Sequence, residues 1–343
     1  MSGKPRDRLE ALLAPHWWRE RPSALARLLQ PLAALAGFEA TRRRRAAQAE
    51  RAPVPVIVVG NFIAGGAGKT PTVIALVDAL RRAGRHPGVI SRGHGRSGRA
   101  ARAVEPGDRA ADVGDEPLLI RRRCGVPVWV ARQRLAAARG LCAAHPEVDL
   151  LLADDGLQHH ALARDAEIAV FDERGIGNGL LLPAGPLREP LPRRLAPTMR
   201  VLYTGGRAST PLPGALALRS VERAWPLADW HAGRAAAAVP LAALRGRRLL
   251  AVAGIAAPQR FRAMLEAAGL AVELLALPDH APYDELPWPA DTAEVVTTEK
   301  DAVKIDPGRI GATRVWVVPL DLALPAGLVD ELLALLPRTE PGA

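Results

Sequence analysis

The sequence predicts an α/β fold with a mostly parallel sheet, and three observations lead to this prediction. Short, continuous apolar runs rich in β-branched residues, such as "VPVIVVG" at residues 54–60, recur along the chain, and such runs are typical of strands buried on both faces. Segments with helical periodicity separate these runs, and strands that alternate with helices indicate a parallel sheet. A glycine-rich loop lies between the run at 54–60 and the helix-like segment after it, which is the context of a phosphate-binding loop.

The first 50 residues are expected to form an amphipathic arm. Trp17 and Trp18 are followed by leucines at helical spacing and by a basic cluster at 41–45; the leucines are Leu25, Leu28, Leu29, Leu32 and Leu35. A segment of this kind can lie in a membrane interface. A helix packed on the protein with a solvated basic face accounts for the pattern equally well, so the arm's residues leave both interpretations open.

Residues 51–205 are predicted to form a nucleotide-binding lobe. The strand at 54–60 and the glycine loop are followed by a helix-like segment with Pro71 near its start and Gly84 at its end, where these residues favour helix initiation and termination. Further strands are predicted at 86–91, 126–131, 148–156 and 166–172.

Residues 206–238 are predicted to be a linker region, because Pro, Gly and Arg interrupt the periodicity there. A second α/β lobe is predicted at 239–343, with a strand–turn–helix at 247–269, strands in 271–280, 293–301 and 313–321, and a terminal helix at 326–337. A chain of 343 residues is long enough for two domains of ordinary size.

The net charge of +10 suits a polyanionic partner, which could be nucleic acid, an anionic membrane surface or a phosphorylated substrate. The two cysteines, Cys124 and Cys142, have no metal-binding or redox spacing, and they are predicted to be buried or neutral thiols in a reducing compartment. Only four residues are lysine, so a lysine inside the glycine-rich loop is a stronger signal than it would be in a lysine-rich chain.

The loop "GNFIAGGAGKTP" at residues 60–71 is predicted to bind the phosphates of a nucleotide with Mg²⁺. Its glycines let backbone N–H groups point at phosphate oxygens, Lys69 can reach the β- and γ-phosphates, and the Thr70 hydroxyl can bind Mg²⁺. Ile63 stands where the common pattern has its first glycine, but this replacement removes no N–H group that would face a phosphate. The predicted nucleotide-binding residues are Gly65, Gly66, Ala67, Gly68, Lys69, Thr70 and Pro71.

Acidic residues provide two further candidate sites. Asp154 and Asp155 end a buried strand downstream of the loop, where a carboxylate typically holds Mg²⁺, although a helix cap is the alternative. Asp115 lies in the turn "VGDEP" and is a candidate to orient or deprotonate an attacking hydroxyl, with helix capping again the alternative. His280 follows a strand in "PDHAPY", where a solvated loop histidine is the commoner case.

The segment at 173–190 mixes Gly, Pro, Asn and Arg without periodicity, as substrate-binding loops often do. Arg174 and Arg188 in this segment could pair with a phosphate group.

These motifs, in this order, resemble the tetraacyldisaccharide 4′-kinase family, the lipid A 4′-kinases of Gram-negative bacteria. The matching pieces lie between residues 53 and 304: "PVPVIVVGN", "GGAGKTP", "SRGHGR", "GDEPLLI", "DDGLQH", "RGIGNGLLLPAGPLREP", "GIAAPQRF", "PDHAPY" and "TTEKDAVK". Where the family usually has Thr, Thr, Tyr and a second His, this chain has Ile63, Ala67, His94 and Ala281. None of these differences removes a candidate catalytic or metal-binding residue.

The resemblance implies ATP-dependent transfer of the γ-phosphate to the 4′-hydroxyl of a tetraacyldisaccharide 1-phosphate. It also implies two α/β/α sandwich lobes with a cleft between them, the first with a P-loop NTPase-like core. Peripheral attachment to the cytoplasmic face of the inner membrane follows as well, with no nucleic acid and no obligate protein partner. For the arm, the resemblance favours the membrane interpretation.

The resemblance further implies a carboxylate–histidine pair, Asp115 and His280, that acts with Lys69 in catalysis. On the same basis we expect Glu116 to join Thr70, Asp154 and Asp155 at the metal. The expected substrate-binding residues are Arg92, Gln158, Arg174, Asn178 and Arg188.

Two other classes of protein explain less of the sequence. A partitioning or switch ATPase has a related loop, but it has lysine where this chain has Ala64, and it leaves "DHAPY" and "TTEKD" unexplained. A nucleic-acid-binding protein would suit the charge, but the aromatic content of 4% offers little for base stacking, and none of the common nucleic-acid-binding signatures is recognisable.

Overall fold

The computed structural model describes residues 12–337. Its strands, in chain order, are β1 (Val56–Gly60), β2 (Pro87–Ser91), β3 (Arg102–Ala103), β4 (Val128–Val130), β5 (Leu150–Asp154), β6 (Ala166–Phe171), β7 (Met199–Tyr203), β8 (Ala215–Leu216), β9 (Leu218–Ser220), β10 (Arg223–Pro226), β11 (Val239–Pro240), β12 (Leu249–Ala253), β13 (Val272–Ala276), β14 (Glu294–Thr298), β15 (Arg314–Val318) and β16 (Asp321–Ala323).

Residues 12–17 are helical, and the α-helices after them are α1 (Ala24–Leu28), α2 (Gln30–Ala46), α3 (Lys69–Arg82), α4 (Ala110–Val113), α5 (Asp115–Cys124), α6 (Arg134–Ala144), α7 (Leu227–His231), α8 (Pro258–Ala267), α9 (Glu299–Ala302) and α10 (Leu328–Leu335). Short 3₁₀ turns lie at Ala235–Ala237, Leu241–Leu244 and Pro307–Arg309. Among the described helices, none combines the length and the apolar character that crossing a bilayer requires.

One compact unit consists of the described residues up to Lys69, Asp155–Ala217 and the described residues from Pro325 onward. Its strands lie in the order β1-β6-β7-β8, and all three neighbouring pairs are parallel. Every residue of β1 is buried, as expected for a continuous apolar run in a parallel sheet.

The other compact unit consists of Thr70–Asp154 and Leu218–Leu324. Its strands include the order β3-β4-β2-β5, in which β2 is parallel to β4 and β5. They also form a six-stranded sheet in the order β11-β10-β15-β14-β12-β13, whose strands from β15 to β13 are parallel. The predicted α/β class with mostly parallel sheets is therefore confirmed, while the domain limits given by the sequence stay a prediction.

Two helices begin at places that the sequence did not indicate. α3 starts at Lys69, before the Pro71 that marked its predicted start, because the N–H groups of a first turn have no intrahelical partners and proline is tolerated there. In the arm, α1 ends at Leu28 and α2 begins at Gln30 with a proline in its first turn, so four of the five leucines lie on two consecutive helices and Leu29 lies between them.

The short helix α9 is connected to α5 by a buried ion pair. Arg123 in the last turn of α5 places Nη1 2.7 Å from Oε1 of Glu299, the first residue of α9, and its Nη2 donates to Asp321. The indole N–H of Trp230 also donates to Glu299 Oε1, at 3.1 Å. The Glu299 side chain is 6% exposed, so its charge depends on these partners for compensation.

The variant Arg123→Met should lower the free energy of unfolding by about 3–5 kcal/mol, because it leaves the carboxylate of Glu299 buried without a cation. Urea unfolding followed by circular dichroism measures this loss. The double variant Arg123→Met/Glu299→Gln should recover part of it, and Arg82→Met, at the exposed end of α3, should change the unfolding free energy by less than about 0.5 kcal/mol. A loss below about 1 kcal/mol for Arg123→Met would contradict this account of the pair.

Candidate active site

The glycine-rich loop has the backbone conformation that a phosphate-binding loop requires. Gly65 and Gly68 have positive φ angles of 82° and 90°, which glycine adopts without steric cost. α3 begins at Lys69, directly after the loop, so the free N–H groups and the positive dipole end of a helix adjoin it. The loop and the helix start together form an anion-binding arrangement.

Position 63, where the common pattern has glycine, lies in an extended segment. Ile63 is fully buried and forms an antiparallel bridge with Leu187, and the N–H of Ala64 donates to the carbonyl of Pro186 at 2.8 Å. A β-branched side chain suits this backbone and its buried surroundings. The chain turns only from Gly65 onward, so a glycine at position 63 is not needed for the turn.

The ammonium of Lys69 lies between two acceptors in a buried position. Its Nζ donates to Oδ1 of Asn61 at 3.3 Å and lies 3.4 Å from Oδ1 of Asp155. Nη1 of Arg188 is 3.0 Å from the same Asp155 oxygen. Burial alone would raise the pKa of Asp155, but the charges of Lys69 and Arg188 outweigh burial and hold that pKa well below its usual range. Two cations thus share one carboxylate, and the group has an excess positive charge that suits a phosphate.

Gln158 belongs to the same hydrogen-bonded group. Its Oε1 accepts from Nη1 of Arg188 at 3.3 Å, and its Nε2 donates to Oε1 of Glu189 at 2.8 Å and to the carbonyl of Asn61 at 3.1 Å. The structure therefore brings together Lys69, Asp155 and two of the predicted substrate-binding residues.

Arg174 contacts the glycine-rich loop itself. Its Nε lies 3.1 Å from Oδ1 of Asp172 and its Nη2 lies 2.7 Å from Oδ2, while Nη2 also donates to the carbonyl of Gly66. The guanidinium lies over the ring of Trp18, with Cζ 4.2 Å from the ring centroid. Because Asp172 is fully buried, this forked contact fixes Arg174 beside the loop.

The last two predicted substrate-binding residues have different environments. Asn178 is buried, and its Nδ2 donates to the carbonyls of His16 at 3.2 Å and Ala184 at 2.9 Å, so it connects its own segment to the arm. Arg92 follows β2 and is exposed.

Asp154 and Thr70, two of the predicted metal ligands, are both buried. Asp154 ends β5, and its Oδ2 accepts from the hydroxyl of Ser91 at 3.4 Å. Thr70 lies in the first turn of α3. Between residues 12 and 337, no group of three or more His, Cys, Asp or Glu side chains is arranged to hold a metal ion.

Asp115 and His280 are 165 residues apart in the sequence and in direct contact in the structure, with His280 Nδ1 2.8 Å from Asp115 Oδ2. Asp115 begins α5, where its Oδ1 accepts the N–H of Glu116 at 3.0 Å. Burial alone would raise the pKa of Asp115, but the hydrogen bond from His280 and the charge of Lys300 lower the pKa to about 2. Asp115 is therefore a buried carboxylate that stays ionised at neutral pH.

His280 lies in a left-handed turn with a φ of 57°, a conformation that few side chains adopt without support. Burial alone would lower the pKa of His280, but the hydrogen bond to Asp115 outweighs burial and raises it. The ring of His94 lies beside it, with a centroid separation of 5.7 Å. Glu116, the remaining predicted metal ligand, forms an ion pair with Lys300 at 3.2 Å.

Sequence reasoning did not identify Asn61 or Asp172, although each had a signal. Asn61 stands between β1 and the glycine-rich loop, and Asp172 directly follows β6, as Asp155 directly follows β5. A polar residue at the carboxyl end of a parallel strand is at the edge where α/β proteins bind ligands.

The comparisons with known proteins decide the family. The family model described as tetraacyldisaccharide-1-P 4′-kinase, LpxK, matches residues 25–337 of this chain.

The chain belongs to the tetraacyldisaccharide-1-P 4′-kinase family.

Two relatives named tetraacyldisaccharide 4′-kinase are similar over almost the full length. The protein from Methylibium petroleiphilum is 54% identical over 97% of this chain and 96% of its own. The protein from Leptothrix cholodnii is 51% identical over 99% of this chain and all of its own. A crystal structure of LpxK from Aquifex aeolicus in complex with ATP has a TM-score of 0.75 and 27% identity, and the match covers 91% of this chain and 99% of that one.

These findings confirm the family that the motifs indicated. They also confirm that the chain is a phosphotransferase with an alcohol group as acceptor, because that is the activity by which the family is defined. The roles of individual residues are a separate question, which the geometry addresses.

Proposed function

We propose that this tetraacyldisaccharide 4′-kinase family member transfers the γ-phosphate of ATP to the 4′-hydroxyl of tetraacyldisaccharide 1-phosphate, with Mg²⁺ as the metal. The contact between Asp115 and His280 carries the proposal. A kinase needs a carboxylate that orients or deprotonates the attacking hydroxyl, and Asp115 is buried, ionised and held in place by a ring N–H donor.

In this mechanism Asp115 accepts the proton of the 4′-hydroxyl, or steers it, as that oxygen attacks phosphorus. His280 donates from Nδ1 to Asp115 Oδ2 and so fixes the direction in which the carboxylate accepts. The oxygen–phosphorus bond to the acceptor forms while the bond to the departing diphosphate breaks.

The glycine-rich loop and Lys69 bind the nucleotide phosphates in the proposal. Backbone N–H groups of the loop donate to phosphate oxygens, and Lys69 supplies a positive charge where negative charge develops. Arg188, Gln158 and Arg92 are assigned to the lipid substrate. Arg174 and Asn178 are also assigned to the lipid substrate, and their contacts with the loop and the arm hold them in place.

Thr70, Asp154 and Asp155 are the residues that we propose to hold Mg²⁺, with Glu116 as a further candidate. Their donor chemistry fits, because Mg²⁺ takes one or two protein oxygens and completes its shell with water and substrate phosphate. A buried carboxylate and a hydroxyl in the first turn of α3 supply such oxygens. When bound, Mg²⁺ neutralises charge on the phosphate oxygens.

The direct test is to incubate the full chain with ATP, Mg²⁺ and tetraacyldisaccharide 1-phosphate and to follow phosphate on the lipid by mass spectrometry. A second phosphate on the disaccharide, absent when EDTA is added, is the expected product. ATP hydrolysis without a phosphorylated lipid would contradict the proposal.

We also propose that α2 lies on the cytoplasmic face of the inner membrane. Leu28, Leu32, Leu35 and Phe38 are 76%, 56%, 66% and 68% exposed, and their spacing places them on neighbouring faces of the helical arm. A cluster of arginines at 42–45 follows them. An exposed apolar surface beside cations matches the chemistry of an anionic membrane interface.

The double variant Leu32→Glu/Phe38→Glu should weaken binding to vesicles that contain phosphatidylglycerol by roughly tenfold or more. Full burial of such a side chain contributes about 1.5–3 kcal/mol. Only the part of each side chain that is exposed in the protein can contribute to this energy when the arm binds a membrane. Vesicle cosedimentation measures the change, and Leu218→Glu is the matched control, because Leu218 is 61% exposed and lies outside the arm. Equal binding by the double variant and the control would contradict the proposal for α2.

A further inference from the structure

The proposed mechanism assigns no role to Lys300, although its side chain lies beside His280. Lys300 is the second residue of α9, and its Nζ lies 3.2 Å from Oε1 of Glu116, 3.2 Å from Oδ1 of Asp279 and 3.3 Å from Nε2 of His280. The side chain is 19% exposed. The ammonium thus contacts the ring nitrogen of His280 that faces away from Asp115.

The chemistry of these groups determines which atom carries each hydrogen. An ammonium has three N–H donors and no acceptor, so in the contact with His280 it is the donor and Nε2 is the acceptor. A neutral imidazole that accepts at Nε2 carries its hydrogen on Nδ1. That hydrogen lies on the side of Asp115, whose Oδ2 is 2.8 Å from Nδ1.

We propose that Lys300 is a positioning residue for the phosphoryl transfer, because it holds neutral His280 in the tautomer that donates from Nδ1 to Asp115. The proposal rests on the proposed function of the Asp115–His280 pair. Lys300 does not touch the reacting atoms in this account. It acts through His280, and its two carboxylate partners, Glu116 and Asp279, keep the ammonium charged and in place.

Hydrogen bonds and an ion pair hold the backbone around Lys300 in place. Asp301 accepts the N–H of Gly254 at 3.0 Å through Oδ2, and the carbonyl of Gly254 accepts the N–H of His280 at 3.2 Å. The next residue along α9 from Lys300 and the histidine itself are therefore both hydrogen-bonded to the backbone of Gly254. On the other side of Lys300, Glu299 pairs with Arg123. Both partners in the contact between Nζ and Nε2 therefore extend from backbone that hydrogen bonds and an ion pair hold in place.

Two other roles for Lys300 make different predictions. If Lys300 were only a member of a local ion-pair group, its loss would reduce stability and leave the tautomer of His280 unchanged. If Lys300 bound a substrate phosphate directly, its loss would raise the KM of ATP or of the lipid. A positioning residue lowers kcat, leaves both KM values near normal and changes the state of the ring.

The experiment compares Lys300→Met, which keeps most of the length of the side chain without a donor, with Lys300→Arg, which keeps a donor and the charge. Arg262→Met is the control, because Arg262 is an exposed cation of α8 that pairs with Glu266 at 2.7 Å and not with His280. The ¹⁵N resonances of His280 are recorded in full-length protein labelled at histidine, at a pH where the ring is neutral. The signals that disappear in His280→Gln assign them.

We expect wild-type protein to show the hydrogen on Nδ1 and Lys300→Met to show a mixture of the two tautomers or the Nε2–H form. In Lys300→Met, kcat should fall by roughly ten- to a hundredfold, as is usual when a hydrogen bond that orients a functional histidine is removed. Lys300→Arg should recover most of both signals. Arg262→Met should retain the wild-type tautomer and kcat.

Three outcomes would overturn the proposal: a wild-type ring that carries its hydrogen on Nε2, an unchanged tautomer in Lys300→Met, or an unchanged kcat in a folded Lys300→Met protein. Failure of the underlying function is recognised separately. If Asp115→Asn and His280→Gln both keep normal kcat, the pair itself has no catalytic role, whatever the tautomer of His280.

Discussion

Replacing Asp115 with Asn should lower kcat by about 10²–10⁴-fold, the range over which a positioned acid or base contributes to a rate. The KM for ATP should stay near its wild-type value, because Asp115 is assigned to the acceptor hydroxyl and not to the nucleotide. Steady-state kinetics with a saturating lipid substrate measures both constants.

The kcat should fall because the variant removes the negative charge that accepts the proton, while the fold around position 115 changes little. The single amide oxygen of Asn can keep the N–H of Glu116, which Asp115 accepts at 3.0 Å through Oδ1, and the amide nitrogen then takes the place of Oδ2, which lies 2.8 Å from Nδ1 of His280. The Asn side chain cannot take up the proton of the attacking hydroxyl. The variant therefore separates the role of the carboxylate in proton transfer from its role at the start of α5.

The matched control is Asp112→Asn, which neutralises a carboxylate in α4, the short helix directly before α5. This control should keep normal kcat. His280→Gln should reduce kcat by less than Asp115→Asn, and the double variant should lose about as much as Asp115→Asn alone, since residues that act as a unit are not additive. A folded Asp115→Asn protein with near-normal kcat would exclude the assigned role.

The sequence was sufficient for the nucleotide loop because everything that loop needs is local. The glycines, the lysine and the start of α3 are consecutive in the chain, and the run at 54–60 indicated the strand before them. Ile63 also fits the prediction, because it pairs with Leu187 and the turn is formed by Gly65 and Gly68.

The contacts between distant residues were beyond the sequence. Asp115 and His280 lie 165 positions apart, and periodicity does not reveal which distant segments of a chain come into contact. Only resemblance to a family paired them. Lys300 shows the same limit: it lies in the motif "TTEKD", but its three contacts depend on how α5, α9 and the turn at His280 pack together.

Some predicted substrate residues illustrate a different limit. Arg174 and Asn178 stand in a loop whose composition is typical of substrate binding, yet each one is engaged by the protein itself, Arg174 by Asp172 and Asn178 by two backbone carbonyls. Composition predicts that polar groups are present. It does not predict whether the protein has already used their hydrogen-bonding capacity.

Replacing Lys69 with Met should lower kcat by about 10²–10³-fold, the usual effect of removing one donor that stabilises developing charge. The ammonium is 9% exposed and 3.4 Å from Oδ1 of Asp155, so the variant also removes one of the two cations that this carboxylate contacts. Kinetics and thermal unfolding, measured on the same preparation, distinguish the two consequences. Arg82→Met, which removes a cation from the far end of the same helix, should change neither kcat nor unfolding temperature.

A second substitution decides whether Lys69 acts on phosphate or only on Asp155. If the lysine merely compensated the carboxylate, Lys69→Met/Asp155→Asn would recover stability and would match the kcat of Asp155→Asn alone, a reference that already includes the proposed role of Asp155 at the metal. If Lys69 acts on the transferred phosphate, the double variant recovers stability, but its kcat stays well below that of Asp155→Asn. We expect the second result, since Arg188 already lies 3.0 Å from Asp155 and can neutralise that carboxylate without the lysine. Equal kcat values in the double variant and in Asp155→Asn would mean that the lysine of the glycine-rich loop is structural.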